Sequence, residues 1–181
     1  VVQIASGDDP ARGRAALRVI AGFDGAAAED ELVALLESAP MWRREALAVA
    51  AVERARCRGC LGEALRRRCT EEVLAAAMAA FSLGKAALEA NASSSEQSEG
   101  VIAELRARQL LARRRLLHYF AALTRPREVL EVIPSVCDEG ASSAKRATAL
   151  ELLDALANRT LRPALKALEG DAAGDALPLT E

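Results

Sequence analysis

Two prolines thirty residues apart, Pro10 and Pro40, open stretches that align without a gap: "PARGRAALRVIAGF" and "PMWRREALAVAAVE". In that register Arg14, Ala16, Leu17 and Val19 meet Arg44, Ala46, Leu47 and Val49. Another thirty residues on, "TEEVLAAAMAAFSLG" puts Ala76, Ala77 and Ala79 in the same places, with Thr70 where the prolines stood. "KRATALELLDAL" supplies Ala149 and Leu150 to a fourth copy. A chain that repeats at so short a period is built from one supersecondary unit, which cannot bury its own apolar face and must stack on its neighbours.

The unit is helical. Apolar residues recur at i, i+3, i+4 and usually i+7: Ala16, Val19, Ile20, Phe23; Ala46, Val49, Ala50; Ala76, Ala79, Ala80, Leu83; Ala149, Leu152, Leu153, Leu156. Leu17, Leu47, Ala77 and Leu150 widen each stripe, so each helix wants neighbours on two sides. Pro10 and Pro40 suit a first turn, Asp9 is a good N-cap, and Thr70 and Ser142 or Ser143 are read as starts of the same kind. Second helices are expected from Glu29 to Ser38, with Leu32, Leu35 and Leu36, and from Leu61 to Arg68, with Leu65. The Ser-rich stretch 91–100 reads as a flexible loop between repeats. A long helix follows from Gly100 to Leu123, then one from Arg127 to Val136 that Pro134 should kink or end, then a last pair closed by Gly170. The expectation is an all-α fold, an α-solenoid of about five helix pairs occupying 1–181 as a single domain, with a frayed tail at 171–181.

Aromatics are only 3% of the chain, so Ala, Leu and Val must fill the core, and small side chains suit closely packed helices. Lys and Arg total 24 against 26 Asp and Glu, a net charge of -2, which gives no global field for nucleic acid or an anionic membrane. No apolar run approaches the ~20 residues of a bilayer span, and "VVQIASGDDP" lacks the basic start and apolar stretch of a signal peptide. The expectation is a cytoplasmic segment that does not itself insert into a membrane. It begins without Met, and "VVQIA" reads as the tail of a helix, as in a piece of a longer protein.

The candidate chemistry is thin. Cys57, Cys60 and Cys69 with His118 offer the residue types of a zinc site, but only one C-x2-C pair has the right spacing and His118 is remote. Reduced thiols are the better reading, for Cys137 as well. A single histidine cannot furnish a dimetal centre. Arg113, Arg114 and Arg115 sweep about 200° of a helix, so one of them must approach the stripe between Leu110 and Leu117 and find a carboxylate, with Glu104, Glu128 and Asp154 as candidates. Arg66, Arg67 and Arg68 form a second basic cluster, placed at a helix C-terminus where cations suit the dipole. Trp42, in the first turn of a helix beside Arg43, is a candidate hot spot. The residues assigned to partner binding are therefore Trp42, Arg66, Arg67, Arg68, Arg113 and Arg114. No catalytic, cofactor or metal residue is assigned.

The spaced Pro, Arg and Ala-Leu pattern resembles HEAT repeats of the short, thirty-residue bacterial type. Within residues 101–171, "ELRARQLLARRRLLHYFAALTRPREVLEVIPSV" and "KRATALELLDALANRTLRPALKALEGD" resemble the HEAT-containing region of bacterial proteins related to nucleotide (ATP/ADP) antiporters. The resemblance implies a non-enzymatic scaffold or regulatory interaction module, the soluble part of a larger transporter-like protein, whose partner is another protein or a neighbouring domain of the same chain. Helical-repeat DNA glycosylases share this fold type and are the alternative, but one Trp, one Tyr, three Phe and no net positive charge supply base stacking and phosphate neutralisation poorly.

Overall fold

The computed structural model describes residue 5 and residues 9–92, 98–138 and 140–169, without the side chains of residues 41, 42, 98, 167 and 169. All its regular structure is helical: α1 (Pro10–Gly22), α2 (Ala26–Ser38), α3 (Met41–Arg58), α4 (Glu63–Ala92), α5 (Ser98–Leu123), α6 (Pro126–Cys137), α7 (Ser143–Leu156) and α8 (Arg162–Glu169). The chain divides into two compact units, one of residues 1–72 with 117–130, the other of residues 73–116 with 131–181.

In the first unit the two helices that carry the Pro10 and Pro40 stretches lie side by side. Helix α1 packs chiefly against α3, the helix thirty residues on, and less against α2 between them. Asp9 Oδ1 caps α1 by accepting from the backbone N–H of Ala11 at 2.9 Å and Arg12 at 3.2 Å, and Pro10 takes the first helical position, where it forfeits no hydrogen bond. Pro40 stands one place earlier, as the capping residue of α3.

The buried face is rotated from the expected one. Gly13, Ala16, Leu17, Ile20 and Ala21 are buried in α1, whereas Val19 and Phe23 are 49% and 57% exposed. Val19 lies two residues from Leu17, about 200° round the helix, so a face built on Leu17 turns Val19 to solvent. Phe23 falls beyond the helix, as an extended capping residue. Leu17, Leu47 and Ala77 are buried alike, while Ala46 is half-buried where Ala16 and Ala76 are buried. In the fourth stretch the order is reversed, Ala149 being buried and Leu150 half-buried.

A second correction concerns Thr70, which does not start a helix. α4 runs unbroken for 30 residues through it, so the expected helix ending at Arg68 and the one starting after Thr70 are one. Unlike proline, threonine keeps its N–H, and its hydroxyl donates back to the Arg66 carbonyl at 3.0 Å, as helical threonines do. Leu65, Cys69, Val73, Ala76, Ala77 and Ala80 make one continuous buried stripe across the expected break. Pro134 likewise lies inside α6, which runs one further turn to Cys137.

α2 buries Ala28, Leu32, Leu35 and Leu36, and α7 buries Ala149 and Leu153, close to expectation. Ser142 caps α7 through the Lys145 N–H at 3.4 Å. Asn158 accepts from the N–H groups of Thr160 and Leu161 at 3.0 and 2.9 Å, turning the chain into α8, which packs on α7. Residues 93–97 of the expected loop, Gly170 and the tail 171–181 lie outside the described residues.

The first unit is tied together by Arg54, which is 2% exposed. Its guanidinium donates through Nε to Glu29 Oε1 at 3.1 Å, through Nη2 to the Gly25 carbonyl at 2.8 Å, and through Nη1 to the Phe23 carbonyl. Glu29 in turn accepts the Gly62 N–H at 2.8 Å. One buried residue of α3 thus holds the α1–α2 turn, and its carboxylate partner holds the entry to α4. Gly25 has φ 110, which a side chain would strain. A Cβ on Gly62 would stand 2.2 Å from Glu29 Oε2, so any larger residue there must push the carboxylate aside.

Arg54→Met leaves the Glu29 carboxylate and two carbonyls without their donor, and is expected to cost about 3 kcal/mol in urea unfolding. Gly62→Ala displaces Glu29 and is expected to cost about 1–2 kcal/mol. The double variant should lose less than the sum, because both act on one carboxylate; strict additivity would disprove the shared network.

Candidate functional site

Helical spacing gathers polar side chains around a cavity in the second unit. Gly84, Ala87, Leu88 and Asn91 recur at i, i+3, i+4 and i+7 on α4, and Arg106, Gln109, Leu110 and Arg113 do the same on α5. Each set is therefore one face. The end of α6 adds Val136 and Cys137, the following residue Asp138 and α7 residue Arg146 complete the wall, and the space enclosed is about 410 Å³.

Three features shape it. Gly84 admits the Gln109 amide: a Cβ there would lie 2.4 Å from Gln109 Nε2, so any larger residue would drive the amide aside. The Asp138 N–H donates to the Pro134 carbonyl at 2.9 Å, and Asp138 Oδ1 accepts from the Gly140 N–H at 2.9 Å, which together end α6 at the cavity wall. Arg146 reaches the Leu168 carbonyl through Nη2 at 3.2 Å, tying α7 to the last turn of α8. Among the described residues Arg106, Arg113, Arg146 and Asp138 are the charged side chains lining the space, and Gln109 and Arg113 are 7% and 8% exposed.

The Cys137 thiol reports the field. Burial pushes its pKa up from the ordinary value, against the pull of Arg114, Arg113 and Arg146 and a hydrogen bond from Arg114. Cys69, in the first unit, is pushed up to about 12, first by burial and then by Glu72 and Glu29, with Arg68 opposing. Cys57 and Cys60 are exposed near the end of α3. Among the described residues no three His, Cys, Asp or Glu side chains converge as a cation would need.

The structure sorts the arginines anticipated from sequence. Arg113 and Arg115 are both buried and Arg114 is exposed, so two of the three, not one, enter the interior. Of the carboxylates considered for them, Glu104 pairs with Arg108 at 2.7 Å, Glu128 with Arg125 at 3.0 Å and Asp154 with Arg162 at 2.9 Å. Arg66, Arg67 and Arg68 do not stand at a helix C-terminus, because α4 continues; they lie near its start, where the dipole disfavours cations. Arg68 answers this with Glu71 at 2.7 Å and Glu72 at 3.4 Å, and Glu72 also holds Arg44 at 2.8 Å. Arg66 and Arg67 are exposed. Trp42 lies in the first turn of α3, and its side chain is outside the described residues. Sequence reasoning missed Arg106, Gln109 and Arg146; the signal was the spacing of Arg106, Gln109 and Arg113 on one face, with Leu110 between.

No protein-family model, no curated protein and no solved structure matches this chain.

At pH 8, Cys57 and Cys60 should react quickly with a disulfide reagent and Cys69 and Cys137 slowly, read by mass spectrometry of the modified peptides. The folded chain holds the Cys69 proton more tightly than the unfolded chain, whose thiol sits near 9.0, so its contribution is complete below pH 9.0 and is lost as pH rises toward 12. Cys69→Ala should flatten the parent's extra fall in stability across that range, measured as the difference between the two denaturation curves.

Proposed function

We propose that this chain is a non-enzymatic interaction module of the HEAT-like α-solenoid type, which works by presenting helix faces to a protein partner or to a neighbouring domain of its own chain. The packing of α1 on α3 in the thirty-residue register supports the repeat architecture. One observation carries the binding role: α4 leaves large apolar side chains in water. The helix contains an 18-residue stretch of mean hydropathy 1.5 of which only 28% is buried, and Met78 and Leu88 are 54% and 60% exposed. Covering these side chains by a partner would remove them from water.

By length and composition α4 is apolar enough to cross a bilayer, which the split into two shorter helices had hidden. A protein surface is the better occupant. Lys85 and Glu89 project from the same helix, both side chains 68% exposed and 3.9 Å apart, and each would cost a few kcal/mol in hydrocarbon. The resemblance of residues 101–171 to the HEAT region of antiporter-related proteins supports placing the module in the soluble, cytoplasmic part of a transporter-like protein. Arg54, Arg44 and Arg68 are engaged in ion pairs within the fold, so no observation favours the glycosylase-type alternative.

A photo-crosslinking residue at Met78 or Ala75 should trap a defined protein in cells, whereas the same residue at the exposed Ala64 should not. The trapped protein, once purified, should bind the chain and lose at least tenfold in affinity to Met78→Lys, in the range of a central interface contact. Crosslinks to lipid alone, or equal trapping from all three positions, would overturn the proposal.

A further inference from the structure

We propose that Cys57 and Cys60 form a two-coordinate thiolate site for a soft monovalent metal ion, of which Cu(I) is the biological example. The proposal does not rest on the docking role of α4.

Cysteine is among the residue types most often buried, and a thiol left in water adds nothing to packing. Cys69 and Cys137 follow that rule, whereas Cys57 and Cys60 are exposed. The exposed two are also the two that stand three positions apart. Cys57 lies in the last turn of α3, which ends at Arg58, and Gly59 then takes the left-handed conformation at φ 76. The Gly59 N–H still donates to the Ala55 carbonyl at 2.9 Å, and a Cβ built on Gly59 would meet nothing beyond its chain neighbours within 4 Å. The two cysteines thus bracket an open turn.

That turn is fixed on either side. Arg58 pairs with Asp24 at 2.5 Å, Leu61 is buried, and Glu29 holds the Gly62 N–H at 2.8 Å. Ligands held in place before binding lose less freedom when the ion arrives.

Ligand type and number select the metal. Thiolates favour soft ions such as Cu(I) and also take Zn(II). Zn(II) asks for four ligands, and among the described residues no third His, Cys, Asp or Glu joins the pair. Cu(I), with a filled d shell and a single charge, is satisfied by two sulfurs in a line. Two metal–sulfur bonds of about 2.3 Å reach further than a direct S–S bond of about 2.05 Å, and so suit a turn widened by a left-handed residue. On binding, both thiols give up their protons to solvent and the copper stays Cu(I).

Anaerobic titration of the reduced whole chain with Cu(I), in competition with the chelator bathocuproine disulfonate, tests the assignment. One Cu(I) should bind per chain, with two sulfur neighbours by X-ray absorption and an affinity that rises with pH as thiol protons are displaced. Cys57→Ser and Cys60→Ser should each weaken it about 100-fold or more, because either loss removes the second arm of a chelate. Both substitutions replace an exposed side chain, so the melting temperature without metal should match the parent's, which separates lost binding from lost fold. Cys137→Ala should leave the affinity unchanged, and Zn(II) should not displace the copper. Failure to hold copper against the chelator, affinity unmoved in either serine variant, one ion shared between two chains, or binding no tighter to the folded chain than to the same chain unfolded in urea would overturn the proposal.

Discussion

The first unit depends on a buried cation. Arg54 is withdrawn from water on α3, a placement whose desolvation cost is offset only because Glu29 and the carbonyls of Phe23 and Gly25 converge on its guanidinium. Those carbonyls belong to the turn between α1 and α2, so the ion pair also sets where α2 begins. Glu29 passes the constraint on by accepting the Gly62 N–H, and the chain enters α4 directly afterwards. A packing of small residues defines faces but not angles, since alanine surfaces slide over one another at little cost. A directional, fully engaged guanidinium supplies what the alanines lack.

The continuity of α4 changes how its residues act. Expected at the end of one helix, the Arg66 to Arg68 cluster would have been stabilised by the dipole; near the start of a 30-residue helix it opposes the dipole, and Glu63, Glu71 and Glu72 counter it. Glu72 is itself 2% exposed and shared between Arg44 and Arg68, beside the buried thiol of Cys69 whose proton it helps retain. The same continuity produces the long apolar stretch on which the docking proposal rests. A break at Thr70 would have shortened it.

Much of the helical layout was legible. Asp9 and Ser142 cap as their types and positions indicate, the stripe of Leu32, Leu35 and Leu36 is buried, and the long helix from about residue 100 to Leu123 forms as its periodicity implies. Where the reading failed, the local signal was ambiguous. Thr70 is as good inside a helix, through its bond to the Arg66 carbonyl, as before one, and only the unbroken stripe from Leu65 to Ala80 decides between them. Arg54 sits in "AVERARC", which reads as a solvated face, and nothing within a turn of it names Glu29 as its partner. The cavity was half visible. Arg113 drew attention as part of an arginine run, but Arg146 and Cys137 are contributed from other helices, and no spacing within one helix announces them.

The amino-acid sequence by itself determined that this chain is helical, where most helices start, and that small side chains would have to make its core, because capping chemistry and a 3.6-residue period are local properties. Tertiary structure alone decided which arginines are buried, that Glu29 rather than solvent receives Arg54, and that Arg106, Arg113 and Arg146 surround one space. Those outcomes depend on the desolvation of charged groups by residues distant along the chain, and burial is not a property that any short stretch of sequence possesses.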